Sequence, residues 1–169
     1  MSARTLFIMR HGKSDWSTDA ASDFERPLNA RGQNDAPAMA AWLKSQAVKP
    51  ELLVSSPARR AAETARLIGE GLGINETDIV YEAAIYEAGR QQLLDALVAS
   101  VGDQASVMLC GHNPGLDAMV EFLARESPPL TAAGKLMTTA AIAVLEREGD
   151  WCFERGDWQL QELKRPKAI

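Results

Sequence analysis

The stretch that most constrains the fold is Leu6-Phe7-Ile8-Met9-Arg10-His11-Gly12-Lys13-Ser14. Thr5 to Met9 is a short apolar run with β-branched and aromatic residues, the signature of a buried strand. It stops abruptly at two cation-capable side chains and a glycine. A strand ending in Arg-His-Gly puts polar groups at its carboxyl edge, where open α/β sheets bind ligands. An arginine can grip a phosphate bidentately, an imidazole can attack or protonate it, and Gly12 lets backbone come close.

The same arrangement recurs twice. Leu52-Leu53-Val54 reads as a strand running into Ser55-Ser56-Pro57-Ala58-Arg59-Arg60-Ala61-Ala62-Glu63-Thr64-Ala65, and Ser106 to Cys110 as a strand running into Gly111-His112-Asn113-Pro114-Gly115. Pro57 stands where a helix can start, and that helix is predicted from Ala58 to about Leu72, ending at the Gly71/Gly73 cluster. Arg60 falls in its first turn, where the helix dipole favours an anion. If the sheet is parallel, Arg10, His11, Arg60 and His112 meet in one crevice.

The intervening segments fit that scheme. Lys13 to Glu25 reads as a loop over the site, followed by Arg26-Pro27-Leu28 and by Asn29 as an N-cap. Gln33 to Lys44 has helical spacing, with Pro37 predicting either a kink or a proper start only near Asp35. Ile79 to Tyr81 reads as a strand, Arg90 to Val101 as a helix. Asn113 is expected to cap a helix whose first residue is Pro114. Thr139 to Leu145 and Trp151 to Leu160 are predicted as two antiparallel strands at a sheet edge. Alternating strands and helices indicate a three-layer α/β sandwich around a mostly parallel sheet.

A chain of 169 residues suits one domain. Its formal charge of −5 weighs against a nucleic-acid partner. The basic Lys164-Arg165-Pro166-Lys167 reads as a solvated tail. No apolar run reaches the ~20 residues of a membrane span, and no signal peptide is visible, so a cytoplasmic location is expected. Cys110 and Cys152 fit no zinc or redox spacing, and with only His11 and His112 as histidines, neither a metal nor another cofactor is called for.

Arg-His-Gly, Ser-Pro-x-x-Arg-Ala-x-x-Thr (Ser56 to Thr64) and Gly-His-Asn-Pro, in that order, make the chain resemble the histidine phosphatase superfamily, the phosphoglycerate mutase-like fold. Arg26-Pro27-Leu28 and the form of the third motif are most similar to its SixA-type phosphohistidine phosphatase branch. The resemblance implies that His11 is a nucleophile carrying a phosphohistidine intermediate. It implies that Arg10, Arg60 and His112 hold the phosphoryl oxygens, and it picks Arg60 over Arg59. Gly12 is expected to lend a backbone carbonyl that fixes the His11 tautomer, and Asn113 a helix-terminal N–H. Arg26 either binds phosphate or pairs with Glu25 or Asp23. Ser17 stands where mutase relatives carry an asparagine near the phosphate. Glu87 is the candidate general acid, against a plain reading as a solvated loop carboxylate.

The expected activity is a metal-independent phosphatase acting on phosphohistidine in a phosphotransfer protein. A small-molecule phosphomonoesterase and an idle module that binds phosphorylated partners are the alternatives. A mutase is disfavoured, because the chain is too short for segments that would enclose a bisphosphorylated intermediate.

Overall fold

The computed structural model describes residues 2–166. Six strands form one sheet: β1 (Ala3–Arg10), β2 (Leu52–Ser55), β3 (Val80–Tyr81), β4 (Ser106–Gly111), β5 (Ile142–Glu148) and β6 (Gln159–Lys164). Four helices connect them: α1 (Ala30–Ser45), α2 (Arg59–Leu72), α3 (Arg90–Ser100) and α4 (Gly115–Leu123). The strand order is β3-β2-β4-β1-β5-β6. The β3-β2, β2-β4 and β4-β1 pairings are parallel, whereas β1-β5 and β5-β6 are antiparallel. The sheet is therefore mostly parallel, as the alternation of elements predicts.

Side chains leave a strand on alternate faces, so each central strand feeds two cores. Leu6 and Ile8 of β1, with Val107 and Leu109 of β4, pack with Leu93, Leu97, Leu116 and Met119 of α3 and α4. Phe7 and Met9, with Met108 and Cys110, pack on the other face with Met39, Leu43, Ala65 and Ile68 of α1 and α2. Burial on both faces explains why these strands read as continuous apolar runs. It also makes Cys110 a core residue, its thiol pushed up to about 12 by burial.

The strand order places β1 and β4 side by side at the switch point. The connection from β1 runs to one side of the sheet and that from β4 to the other, which opens a crevice at their carboxyl ends. The Lys13–Leu28 excursion is pinned over this edge. Asp15 N–H donates to the Pro27 carbonyl (2.9 Å) and Asn29 N–H to the Lys13 carbonyl (3.0 Å). Where the excursion meets α1 only glycine fits: a Cβ on Gly32 would lie 2.3 Å from the Lys13 carbonyl oxygen, and one on Gly12 would lie 3.0 Å from the Gly32 Cα.

Four local expectations are corrected. Helix α1 starts at Ala30, not near Asp35, because Asn29 caps it by accepting from Gly32 N–H (2.9 Å) and Pro37 sits on its exposed side. Helix α4 begins at Gly115, after Pro114; the Asn113 side chain still accepts from Asp117 N–H (3.1 Å). The last strand is Gln159–Lys164 rather than Trp151 to Leu160. Trp151, Phe153 and Trp158 instead form an aromatic cluster, with centroids 5.7–6.1 Å apart. The basic tail is not simply solvated. Lys164 belongs to β6, and Arg165 donates to the carbonyls of Pro129 (2.7 Å) and Leu136 (3.0 Å). Lys167 lies outside the described residues.

Candidate active site

Strands β1, β2 and β4 end at Arg10, Ser55 and Gly111, so His11, Ser56 and His112 follow at one edge. The backbones are tied there: His11 N–H donates to the Gly111 carbonyl (3.1 Å) and Ser56 N–H to the Cys110 carbonyl (3.0 Å). The His11 and His112 rings lie side by side, tilted by 56°, with centroids 5.1 Å apart. Both are buried.

His11 Nδ1 donates to the Gly12 carbonyl at 2.7 Å. A carbonyl only accepts, so the ring proton is on Nδ1 and the Nε2 lone pair is free. Gly12 N–H is itself held by Thr64 Oγ1 (3.0 Å), whose hydroxyl donates to the Arg60 carbonyl (2.7 Å). Burial, reinforced by the charges of Arg60 and Arg10, pushes the His11 imidazole down to about 3 despite the opposing Gly12 bond. The ring is neutral at physiological pH. A neutral imidazole with an exposed lone pair is a nucleophile.

The cations come from three segments. Arg10, lowered by burial but still charged, donates to the Met137 carbonyl at 3.1 Å. Arg60, buried on the inner side of α2, donates to the Asp23 carbonyl (2.8 Å) and carboxylate (3.0 Å). Arg59, next to it, is exposed and pairs with Glu63 at 3.4 Å. Arg26 is buried between the Asp23 carboxylate (2.9 Å) and the Ser14 hydroxyl, with the exposed Trp16 ring 3.6 Å over its guanidinium. Of the two carboxylates named as partners for Arg26, the one it meets is Asp23. The Nε atoms of Arg10, Arg26 and Arg60 are buried and have no protein partner.

Asp23 also accepts from the Tyr86 hydroxyl (2.8 Å), and hydrogen bonding led by Arg26 holds its carboxylate down at about 2. The Tyr86 ring meets Phe24 edge-on at 5.1 Å and His112 at 5.6 Å. Tyr86 itself is pushed up to about 12 by burial, with Asp23 and Glu87 adding to it. Ser14 and Tyr86 thus join the site without any role read for them in the sequence, whereas Asp23 is one of the partners expected for Arg26 and Thr64 closes the second motif.

The other expected residues are placed as follows. Asn113 uses its amide on the Met137 carbonyl (2.9 Å), the same oxygen that Arg10 reaches, so it braces the crevice wall. Glu87 is exposed on the loop before α3, next to Tyr86 and at φ 57°. Ser17 is exposed and its hydroxyl donates to Asp15 (2.7 Å). Among the described residues no cluster of His, Cys, Asp and Glu is suited to a metal ion, and no helix is long and apolar enough to cross a membrane.

A neutral histidine with a free Nε2, set among arginines at the carboxyl edge of an α/β sheet, has the chemistry to attack and hold a phosphoryl group. Residues 6–90 match the model of the histidine phosphatase superfamily (branch 1). The chain belongs to this superfamily of hydrolases. The phosphohistidine phosphatase SixA of Escherichia coli K12 is 35% identical over 172 residues, covering 97% of this chain and 99% of that one. The protein histidine phosphatase SixA solved with tungstate superposes with a TM-score of 0.73 at 30% identity, over 94% of this chain and 95% of its own. A SixA relative from Agrobacterium tumefaciens gives 0.77 at 28% identity, over 97% and 99%.

Proposed function

We propose that this chain is a single-domain, cytoplasmic, metal-independent phosphohistidine phosphatase acting on a phosphotransfer protein. The carrying observation is the His11 Nδ1–Gly12 carbonyl bond at 2.7 Å, which leaves Nε2 as a lone pair in a cationic, buried crevice. Likeness to SixA over nearly the whole chain supports the substrate class.

In the first step the His11 Nε2 lone pair attacks phosphorus and the substrate's N–P bond breaks. Its electron pair stays on the departing imidazole nitrogen; that ring, protonated on its other nitrogen, leaves neutral. His11 becomes an Nε2-phosphoimidazolium whose Nδ1–H still donates to Gly12. In the second step water attacks phosphorus, the Nε2–P bond breaks and its electrons return to Nε2, and inorganic phosphate leaves carrying the water's oxygen and its protons, one of which passes to solvent as the phosphate ionises. Arg10, Arg60 and His112 balance the charge on the phosphoryl oxygens, which is where most of the acceleration arises. Arg26 supports Arg60 through Asp23.

The test is a comparison of dephosphorylation rates on a phosphohistidine protein and on a panel of small phosphomonoesters, with and without EDTA. The reading expects preference for the phosphohistidine protein and no loss on chelation. Faster turnover of a small ester, or loss on EDTA with recovery on added metal, contradicts it.

A further inference from the structure

His112 Nε2 lies 2.8 Å from Ser56 Oγ, and Ser56 is fully buried at the end of β2. Which atom carries the proton follows from the other partners. The Ala58 backbone N–H, folding back around Pro57, donates to Ser56 Oγ at 3.2 Å and takes one hydroxyl lone pair. Among the described residues no other acceptor for the Ser56 hydroxyl hydrogen is present besides His112 Nε2. His112 Nδ1 is buried and has no protein partner.

Two arrangements are possible. With the proton on Nε2, the ring donates to Ser56. The hydroxyl hydrogen is then buried without an acceptor, and Nδ1 is left as a bare lone pair. A buried polar atom left without a partner is costly, and this arrangement leaves two. With the proton on Nδ1, Ser56 donates to Nε2 and both atoms are satisfied. What remains is one buried N–H that wants an anionic acceptor.

We propose that Ser56 is a positioning residue for phosphoryl transfer: its hydroxyl donates to His112 Nε2, fixes the Nδ1–H tautomer, and so presents a donor rather than a lone pair to the phosphoryl oxygens. The proposal rests on the reading of His112 as a phosphoryl-holding residue. Charge around the ring is set by His11, Arg60, Asp23, Arg10 and Arg26, with the Tyr86 ring against one edge. When a phosphoryl dianion enters, the His112 Nδ1–H donates to its oxygens while the Ser56 hydroxyl holds Nε2. A hydroxyl donor fits this tautomer, whereas a carboxylate would favour the cation and an alanine would not pair with the ring.

The chain's two histidines make a direct test simple. Protein labelled with ¹⁵N-histidine contains only the His11 and His112 rings to assign. In the resting wild type, both are expected as Nδ1–H tautomers. In Ser56→Ala, His112 is expected to shift to Nε2–H while His11 stays unchanged. Turnover should then fall at least ~10-fold, largely in kcat, the scale of losing a histidine's supporting partner or tautomer. A resting wild-type His112 protonated on Nε2 overturns the proposal, and this spectrum needs no variant to fold. So does an Nδ1–H ring that persists in Ser56→Ala. Because the spectrum is recorded without substrate, a failed phosphatase assay would count against the functional reading and leave the tautomer result standing.

Discussion

Asp23 and Arg60 are joined twice, through the Asp23 carbonyl at 2.8 Å and its carboxylate at 3.0 Å. The loop over the site thereby holds a cation that α2 supplies. The same carboxylate takes Arg26 and Tyr86, so three segments meet on one residue. An anion placed there orients the arginines, and it also competes with a phosphoryl group for their charge. Asp23→Asn keeps an acceptor but removes the charge. Inorganic phosphate should inhibit this variant several-fold more tightly, because the two buried guanidiniums lose a competing anion. Weaker phosphate inhibition would show that orientation outweighs competition.

The two adjacent arginines provide an internal control. Arg60→Ala should lose at least ~100-fold in turnover, the scale of removing one transition-state donor. Arg59→Ala, which breaks only an exposed pair with Glu63, should lose little. Steady-state kinetics of both variants decides it, and the reverse order would refute the assignment.

Protonation supplies a pH signature. Burial pushes His11 down to about 3 and, with the charge of Arg60, His112 down to about 4, both below the ordinary 6.5. The unfolded chain therefore binds more protons between those values. The stability contribution is complete above about pH 6.5 and is lost as pH falls toward 3. Denaturant midpoints should drop between pH 7 and 4.5, and neither ring should titrate near 6.5 by NMR. A histidine with a midpoint near 6.5 would contradict the buried, cation-flanked environment.

Glu87 bears on substrate choice. A phosphohistidine leaves without an acid catalyst, whereas an alkoxide needs one. Glu87→Gln should keep phosphohistidine turnover within roughly tenfold and slow an alkyl phosphate much more. Equal large losses on both would make Glu87 a general requirement and remove this argument for the substrate.

Much of this was legible in the chain, for physical reasons. Apolar runs that end in Arg10-His11, Ser55-Ser56 and Gly111-His112 can only be buried strands opening on a polar edge, so the convergence of these residues follows from a parallel sheet. Asp23 and Tyr86 were not legible as partners, because their meeting depends on how the Lys13–Leu28 excursion folds over the crevice. Their contact spans 63 residues, beyond any local pattern. The Trp151 to Leu160 region failed differently. Its aromatics carry strand propensity but cluster on the core that α3 and α4 line, so tertiary contact overrode local preference. Arg165 read as tail because clasping by backbone carbonyls leaves no trace in composition.

The central claim is that His11 carries the phosphoryl group. Rapid-quench labelling with a ³²P-phosphohistidine protein, followed by peptide mapping, tests it most directly. The account predicts an acid-labile, base-stable label on the peptide containing His11, formed and lost at rates compatible with turnover and absent in His11→Ala. Full activity in His11→Ala, or a competent label on any other residue, would contradict it.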